Sequence, residues 1–378
     1  MRRRLWLLAA TALAAEAGAQ AVRTRPGPGP GREPEPEPDR DRVCRGRALT
    51  FPRDHGAHPG TRIEWWYLTG WLGTPAAPTH GLQLTFFRSA TGLAADSASR
   101  FAARHLLFAH AALTDLAAGR HRHVQRAARW SGLPDARPDA AALDDAALHL
   151  GPWSLRRDGT HWRAEVAERG LAVTLTAQAT QPLLLQGDAG CSRKGPDVSQ
   201  ASRYYSMPQL ALAAHGRVDD RGFAGGGHAW LDHEWSDELL HPDAVGWDWI
   251  GMNLFTGAAL TAFQLRRADG SALWAGGSWR AGPGDAVQDF APHAPAFTPG
   301  RRWRSAATQA AYPLEWQLAT PAGRYAVRAL LDAQELAGNA GFGAIYWEGL
   351  SELLDAQGRR VGLGYLEMTG YAGRLRLG

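Results

Sequence analysis

The stretch RIEWWYLTGWL occupies residues 62–72 and is rich in the aromatic and β-branched side chains that are typical of strands. Because successive side chains of a β-strand point to opposite faces, Trp65 lies on one face and Trp66 on the other. Both faces of this predicted strand are therefore apolar or aromatic.

Similar short runs recur along the chain, and turn signals separate many of them. Asp-Gly dipeptides at 158–159 and 269–270 have the spacing of β-hairpins. Further strand-like runs cover 82–87, 171–177, 252–255, 262–266, 325–331 and 362–371. Long amphipathic helical patterns are few, so the sequence predicts an all-β fold of barrels or sandwiches.

Length and charge narrow the possible classes. The chain has 378 residues, which is enough for two domains with separate cores. Its formal net charge is +4, yet Lys194 is the only lysine and the arginines are scattered among acidic residues. Because no concentrated basic stripe is present, we predict no nucleic-acid partner.

Several catalytic motifs are absent from the sequence. It has no Gly-x-Ser-x-Gly elbow, P-loop, Cys-x-x-Cys pair or His-Glu-x-x-His helix. We therefore predict no cofactor and no metal, and serine-hydrolase chemistry of the α/β type is disfavoured. A Ser-His-Asp set assembled from distant strands stays open, without a motif to support it.

Residues 1–21 have the composition of a secretory signal peptide. Three arginines follow Met1, an apolar stretch covers 5–15, and small residues at 17–21 suit cleavage. The apolar stretch is about half as long as a bilayer-spanning helix requires. We predict a periplasmic or secreted protein with no membrane span after signal cleavage, and an uncleaved anchor helix is the alternative.

Residues 22–48 are rich in proline and predict an extended, disordered linker. Export would expose Cys44 and Cys191 to an oxidising compartment in which a disulfide persists. A bridge between them would close a long loop and contribute about 4 kcal/mol to stability. Two free cysteines are equally compatible with the sequence.

Residues 225–235 read GGGHAWLDHEW and place acid and base groups in an aromatic strand. Strand alternation puts Asp232 and Glu234 on one face with Trp230. It puts His233 on the opposite face. Two hypotheses follow from this placement: a hydrogen-bonded polar cluster at a domain junction, or an acid/base or ligand-orienting role.

A metal site is a further alternative for the same stretch. Asp232, His233 and Glu234 are acceptable ligand types, and His228 lies close in sequence. Alternation divides these ligands between two faces, which argues against the metal.

Residues 246–253 read GWDWIGMN and contain one carboxyl group. In a regular strand Asp248 shares its face with Met252. Trp247 and Trp249 lie on the opposite face. A carboxyl on an apolar face is either paired or protonated, and desolvation raises its pKa, so Asp248 is a candidate acid for protonating a double bond. The alternative is an aspartate that caps a turn or pairs with an arginine.

Three glutamates, Glu64, Glu348 and Glu367, are embedded in aromatic strands. A buried carboxylate needs a partner. We expect structural hydrogen bonds for all three.

Seven blocks occur in order between residues 51 and 371. They are HP at 58–59, RIEWWYLTG at 62–70, YYS at 204–206, WLDHEW at 230–235, GWDWIG at 246–251 with Asn253, YWEG at 346–349 and GYLEMTGY at 364–371. Together they resemble the AttH and carotenoid 1,2-hydratase-like family, whose members include lipocalin-like proteins and predicted secreted hydrolases.

The resemblance implies two lipocalin-like, calycin-type antiparallel β-barrel domains packed together, with a hydrophobic cavity at or near their junction. We place the first barrel at 49–236 and the second at 237–378. The catalytic candidates are Asp248, Glu234, Asp232 and His233. The candidate ligand-binding side chains are Trp65, Trp66, Tyr204, Tyr205, Trp230, Trp235, Trp247, Trp249 and Asn253.

Two functions compete at this point. The first is an exported protein that binds a small hydrophobic ligand of the lipid or isoprenoid type, with an ABC export system as a possible partner. The second is a cofactor-independent hydratase that adds water to a terminal alkene by acid catalysis, or a secreted hydrolase. Binding is common to both, and the orientation of Asp248, Asp232 and Glu234 distinguishes them.

Overall fold

The computed structural model describes Cys44 and residues 48–94, 96–97, 99–132, 139–238, 240–337 and 345–375. The predicted signal peptide and nearly all of the predicted linker lie outside the described residues. The described chain is all-β apart from one 3₁₀ turn, Arg53–His55, which confirms the predicted fold class. Within it, no helix has the length and hydrophobicity to cross a bilayer.

The first sheet is antiparallel and contains thirteen strands. They are β1 (Ile63–Gly73), β2 (Pro78–Ala90), β3 (His105–Asp115), β4 (Arg120–Trp130), β5 (Asp139–Ala141), β6 (Ala147–Leu150), β7 (Trp153–Asp158), β8 (His161–Glu168), β9 (Leu171–Gln178), β10 (Leu184–Leu185), β11 (Cys191–Arg193), β12 (Ala201–Val218) and β13 (Arg221–Ser236). The order is β4-β3-β2-β1-β13-β12-β9-β8-β7-β6-β5, with β10 and β11 paired to β12. The end strands β4 and β5 contact each other, so the sheet curls into a nearly closed barrel.

The second sheet is built from the rest of the chain and has ten antiparallel strands. The remaining strands are β14 (Gly246–Leu254), β15 (Ala259–Arg266), β16 (Ala272–Arg280), β17 (Gln288–Asp289), β18 (Ala296–Pro299), β19 (Arg302–Arg304), β20 (Ala311–Pro313), β21 (Glu315–Thr320), β22 (Gly323–Ala329), β23 (Glu335–Leu336), β24 (Tyr346–Leu354) and β25 (Arg360–Thr369). The order is β17-β16-β15-β14-β25-β24-β22-β21-β18, with β23 on β24, while β19 and β20 form a separate hairpin. The predicted domain limits, 49–236 and 237–378, stay predictions.

Side chains fill the interior of each barrel. Trp66, Leu68 and Phe86 belong to the core of the first barrel. Ile250 and Met252 belong to the core of the second. A third apolar cluster lies between the sheets and includes Tyr67, Trp71, Trp230, Trp249, Phe263 and Tyr365. Strands such as β1 and β24 are therefore buried on both faces.

The disulfide between Cys44 and Cys191 ties the chain before β1 to strand β11. Its two cysteines are 147 residues apart in the sequence. The structure thus pairs the two cysteines, whereas the sequence is equally compatible with a disulfide and with two free thiols.

An ion-pair network centred on Glu64 lies inside the first barrel. Glu64 Oε2 accepts a hydrogen bond from Arg88 Nε at 2.8 Å, and both side chains are fully buried. Its Oε1 lies 2.7 Å from His58 Nδ1 and 2.9 Å from His233 Nε2. Burial opposes ionisation of Glu64, but the charges of His58 and Arg88 and the His233 hydrogen bond hold its pKa well below the usual range.

We expect Arg88→Met to lower the free energy of unfolding by about 3–5 kcal/mol, because it leaves the Glu64 carboxylate buried without its cation. Denaturant unfolding followed by tryptophan fluorescence measures the change. The matched control is Arg129→Met at an exposed position of β4, with an expected change within about 0.5 kcal/mol. Equal effects of the two substitutions would contradict the structural role of the network.

Candidate functional site

A cavity of about 560 Å³ lies between the two sheets. Its walls are formed by the outward faces of strands whose inward faces belong to the barrel cores. From the first sheet, Trp65 and Tyr67 of β1 and Tyr204 of β12 line it. From the second sheet, Trp249 of β14 and Phe263 of β15 close it. The cavity is therefore aromatic on both sides.

Five carboxyl groups line this cavity: two from each sheet, and the exposed Glu238 in the segment after β13. Asp232 and Glu234 are two residues apart on β13 and so share a face. Glu348 of β24 and Glu367 of β25 are directly paired in the register of the second sheet. Two side chains opposed in this way have Cβ atoms about 5 Å apart.

Asp232 is held by three donors. Tyr204 Oη donates to Asp232 Oδ2 at 2.7 Å, and Trp230 Nε1 donates to Oδ1 at 2.7 Å. The hydroxyl of Ser206 also donates to Oδ1. Burial raises the pKa of Asp232 to about 7, although these three hydrogen bonds act in the opposite direction.

In the part of the chain that the structure describes, Glu348 and Glu367 face the cavity without a cation beside either carboxyl group. Among the described residues, neither carboxylate oxygen of Glu348 has a partner at hydrogen-bonding distance. Burial first, and then the charge of Glu367, raise the pKa of Glu348 well above its usual range, and the nearby hydroxyls of Tyr67 and Tyr346 offset this only in part. Burial and the charges of Asp232 and Glu234 raise the pKa of Glu367 to about 8, against a lowering hydrogen bond from Trp247.

His110 and Tyr346 form a polar pair beside Glu348. His110 Nδ1 and Tyr346 Oη are 2.8 Å apart, and the imidazole is fully buried. Burial lowers the pKa of His110 to about 3, with a smaller contribution from the charge of His123. The histidine is therefore neutral at pH 7, and the site combines a neutral base with protonated acids.

Two cations line the same cavity, the half-buried Lys194 and the exposed Arg374. Lys194 follows β11 and places Nζ 3.1 Å from Glu234 Oε1. Glu234 Oε1 also accepts a hydrogen bond from Ser202. The Lys194 ammonium thus neutralises the Glu234 carboxylate by charge pairing.

The structure places Asp248 outside the cavity. Its side chain is fully buried on the second barrel's inner side, with Oδ2 2.9 Å from Arg266 Nε and 2.8 Å from Gln264 Nε2. Tyr371 Oη donates to Oδ1 at 2.9 Å. Burial raises the pKa of Asp248, while Arg266 and the hydrogen bonds lower it. Asp248 is thus paired with an arginine, which is the alternative that the sequence leaves open, and it does not line the cavity.

The other predicted site residues lie on different strand faces, and only some of them line the cavity. Trp65, Tyr204, Trp247, Trp249, Asp232 and Glu234 line the cavity. His233, Trp66, Tyr205 and Trp235 belong to the first barrel, where the ring of Trp235 stacks on His58 at 3.7 Å. Trp230 packs between the sheets and reaches the cavity only through its bond to Asp232. Asn253 joins the sheets by accepting from the Gln209 backbone N–H and donating to the Ala229 carbonyl.

The structure also separates the ligands of the metal alternative. His233 lies on the opposite face from Asp232 and Glu234, and His228 stacks on Trp71. A different set, His58, Glu64 and His233, brings three ligand-type atoms within 4.8 Å of one another. These atoms already bond to each other, and the Arg88 guanidinium neutralises Glu64 there.

Sequence reasoning missed four groups of this site. The sequence predicts structural hydrogen bonds for Glu348 and Glu367, whereas the structure places both in the cavity wall. A carboxyl flanked by aromatic residues in a strand, as in YWEG and GYLEMT, is the signal that could have identified them. Lys194 and Phe263 carry no motif, and only the unique lysine is visible in the composition.

Comparisons with known proteins agree with this architecture. A family model described as AttH-like matches residues 42–371. A crystal structure of a candidate AttH from Nitrosomonas europaea is similar with 41% identity and a TM-score of 0.78, over 88% of this chain and 99% of that chain. A search of curated proteins gave no match.

Two more distant structures share the fold. Kievitone hydratase from Nectria haematococca is similar with 15% identity and a TM-score of 0.62, over 86% of this chain and 94% of that chain. CghA is similar with 13% identity and a TM-score of 0.50, over 84% of this chain and 90% of that chain. At these identities the likeness concerns the fold alone.

The raised pKa of Glu367 predicts that the free energy of unfolding falls as pH rises from about 4.5 to about 8. In this window the folded Glu367 keeps a proton that the unfolded chain has released, so its stabilising contribution is present at low pH and lost through pH 8. Each pH unit of the window changes the free energy of unfolding by at most about 1.4 kcal/mol per group. Glu367→Gln should flatten the slope and raise stability at pH 8, as measured by denaturant unfolding across the window.

The control for this experiment is Glu352→Gln on β24. This carboxylate is also buried, but Arg328 and Arg360 pair with it outside the cavity. Removing the Glu352 charge should lower the free energy of unfolding at every pH of the window. The dependence of that free energy on pH should be as steep as in wild type. A slope that is the same in wild type and Glu367→Gln contradicts the protonated carboxyl.

Proposed function

This chain belongs to the AttH-like family, and we propose that it binds an uncharged, mainly apolar ligand in the cavity between its two barrels. The observation that carries the proposal is the direct pairing of two carboxyl groups, the buried Glu348 and the half-buried Glu367, in a wall rich in aromatic side chains, where burial raises the pKa of both. Buried acids without a compensating cation are characteristic of functional sites rather than of structural ones.

The size and lining of the cavity support ligand binding. A volume of about 560 Å³ lies within the range of small-molecule sites, which is roughly 300–1,000 Å³. Side chains fill the barrel interiors, and a second gap, beside Leu68 and Leu212 in the first barrel, offers only about 10 Å³. The ligand therefore lies between the barrels rather than within one of them.

The protonation state favours an uncharged ligand. Burial raises the pKa of both Glu348 and Glu367, which favours their uncharged forms, and Lys194 and Glu234 neutralise each other. In the buried part of the cavity a charged ligand would give up its hydration beside an already paired Lys194 and Glu234, because the other charged lining residues, Glu238 and Arg374, are exposed. A hydrocarbon or isoprenoid with few polar groups avoids that penalty.

Acid-catalysed hydration is the second candidate function, and the Glu348–Glu367 pair favours it. In this step Glu348 donates its proton to one carbon of an alkene, and a water molecule bonds to the other carbon. The proton released by that water returns to the carboxylate pair, so the enzyme is regenerated. Aromatic faces such as Trp65 and Trp249 would stabilise the positive charge that develops on the ligand.

Glu348 replaces Asp248 in this mechanism, because Asp248 does not reach the cavity. The names of the structural relatives include one hydratase, which agrees with the chemistry without establishing it here. The cavity offers less support to the hydrolase alternative. Among its described lining residues, no serine hydroxyl bonds to a histidine, so a nucleophile–base pair is missing.

We also propose that the protein works outside the cytoplasm. The Cys44–Cys191 disulfide supports this location, because such bonds persist in oxidising compartments. The predicted partnership with an ABC export system stays a prediction.

We expect the purified protein to enhance the fluorescence of N-phenylnaphthylamine, an uncharged apolar probe, and to release a neutral lipid or isoprenoid on solvent extraction. Trp249→Asp should weaken probe binding roughly 10-fold or more, because it introduces a carboxylate into the apolar wall. Trp303→Asp, on the β19–β20 hairpin away from the cavity, is the matched control. A probe that binds both variants as well as wild type would rule out the junction cavity.

Turnover separates the two candidate functions. Neutral isoprenoid alkenes are incubated with enzyme in heavy-oxygen water, and oxygen incorporation is followed by mass spectrometry. Glu348→Gln should retain probe binding but reduce incorporation by roughly 100-fold or more, which is the usual contribution of a general acid. Glu352→Gln should retain both activities, and a wild-type protein that binds without incorporation is a carrier.

A further inference from the structure

We infer that the ammonium group of Lys194 binds a carbonyl oxygen of the ligand, so that the cavity's occupant is a neutral, mainly apolar carbonyl compound. The inference rests on the proposed function, because it assumes that the cavity holds a ligand. It names the ligand's polar end and the residue that recognises it.

The composition singles out this residue. The chain has 41 lysine and arginine residues, and all but Lys194 are arginine. The one lysine lies in the wall of the cavity between the two sheets. An ammonium differs from a guanidinium by being a compact point charge with three rotatable donors. An ammonium can hydrogen-bond to a single oxygen atom in a confined space, whereas the planar guanidinium is best matched by a partner with two acceptor atoms.

The contacts of Lys194 Nζ leave at least one of its N–H groups available to a ligand. Nζ lies 3.1 Å from Glu234 Oε1, 4.2 Å from the centroid of the Phe263 ring and 4.7 Å from that of Tyr204. Both rings attract the cation through their faces. Within the described part of the chain, Glu234 supplies the only oxygen bound to Nζ, so at least one N–H remains to be directed into the cavity.

The charge balance selects a neutral acceptor. An anionic headgroup would approach Lys194 only beside the Glu234 carboxylate and the other carboxyl groups of the wall. A cationic headgroup would meet the ammonium itself. A carbonyl oxygen accepts a hydrogen bond without adding charge, and bonds to charged donors are stronger than neutral ones.

The chain around Lys194 is fixed before any ligand enters. The disulfide of Cys191 lies three residues upstream. The backbone N–H of Lys194 donates to the Gln200 carbonyl at 2.7 Å, and Trp274 Nε1 donates to the Arg193 carbonyl at 3.0 Å. These contacts bind the loop to both sheets, so little conformational entropy remains to be lost on ligand binding.

The test compares two neutral fluorescent probes of similar size. Prodan carries a ketone, and N-phenylnaphthylamine carries none. Lys194→Met keeps the apolar stem of the side chain and removes its donors. We expect this substitution to weaken prodan binding roughly 10-fold or more. Binding of N-phenylnaphthylamine should change less than about twofold, since it makes no bond to Nζ.

The double variant Lys194→Met/Glu234→Gln separates donor loss from charge imbalance. Prodan should bind it as weakly as the single variant, and recovery of wild-type affinity would overturn the inference. Equal prodan affinity in wild type and Lys194→Met would also overturn it while leaving ligand binding intact. Failure of both probes to bind wild type would instead overturn the proposed function.

A second measurement uses the unaltered protein and does not depend on variant folding. Reductive methylation modifies amines, and Lys194 provides the only side-chain amine, so peptide mass spectrometry reports its reactivity alone. Saturating prodan should slow methylation several-fold, whereas saturating N-phenylnaphthylamine should slow it less. Equal protection by both probes would show that the ketone makes no contact with Nζ.

Discussion

Burial on both faces of the junction strands is the constraint on which the rest of the structure depends. The inward face of β1 completes the first barrel's core, and its outward face meets the second sheet. A polar group on such a strand cannot turn to water, so it must find a partner or lose its charge. The position of each carboxyl group therefore decides its chemistry.

Glu64 and Glu348 illustrate the two outcomes. Both are almost completely buried, at 0% and 1% exposure. Glu64 lies against Arg88 and two histidines and stays ionised. Glu348 lies opposite Glu367, and burial raises its pKa. A network that satisfies every charge holds the first barrel together, whereas among the described residues the Glu348–Glu367 pair meets no cation at the cavity surface.

The sequence predicts much of the fold because strand alternation is a local property. It separates His233 from Asp232 and Glu234, and it places Asp248 opposite Trp247 and Trp249. It does not tell which of these faces the other sheet will cover, since that depends on the packing of distant strands. For this reason the sequence pattern indicates Asp248 as the candidate acid, whereas in the structure its face belongs to the second barrel's interior.

The remaining site groups depend on long-range geometry. Glu348 and Glu367 become neighbours only through the register of β24 and β25. Lys194 belongs to a loop without periodicity, and its position follows from a disulfide to Cys44 and from contacts with both sheets. The resemblance to a family could suggest the junction, but no local pattern reports which side chains meet there.

The location of the cavity also bears on how such a protein can change over evolutionary time. Its walls are the outward faces of strands, while the inward faces of the same strands hold two separate cores. A residue such as Trp65 or Phe263 can be exchanged without opening a hole in either barrel, so the usual conflict between new specificity and folding stability is relaxed. Two barrels that share one seam thus form a scaffold on which ligand preference can diverge while the architecture persists.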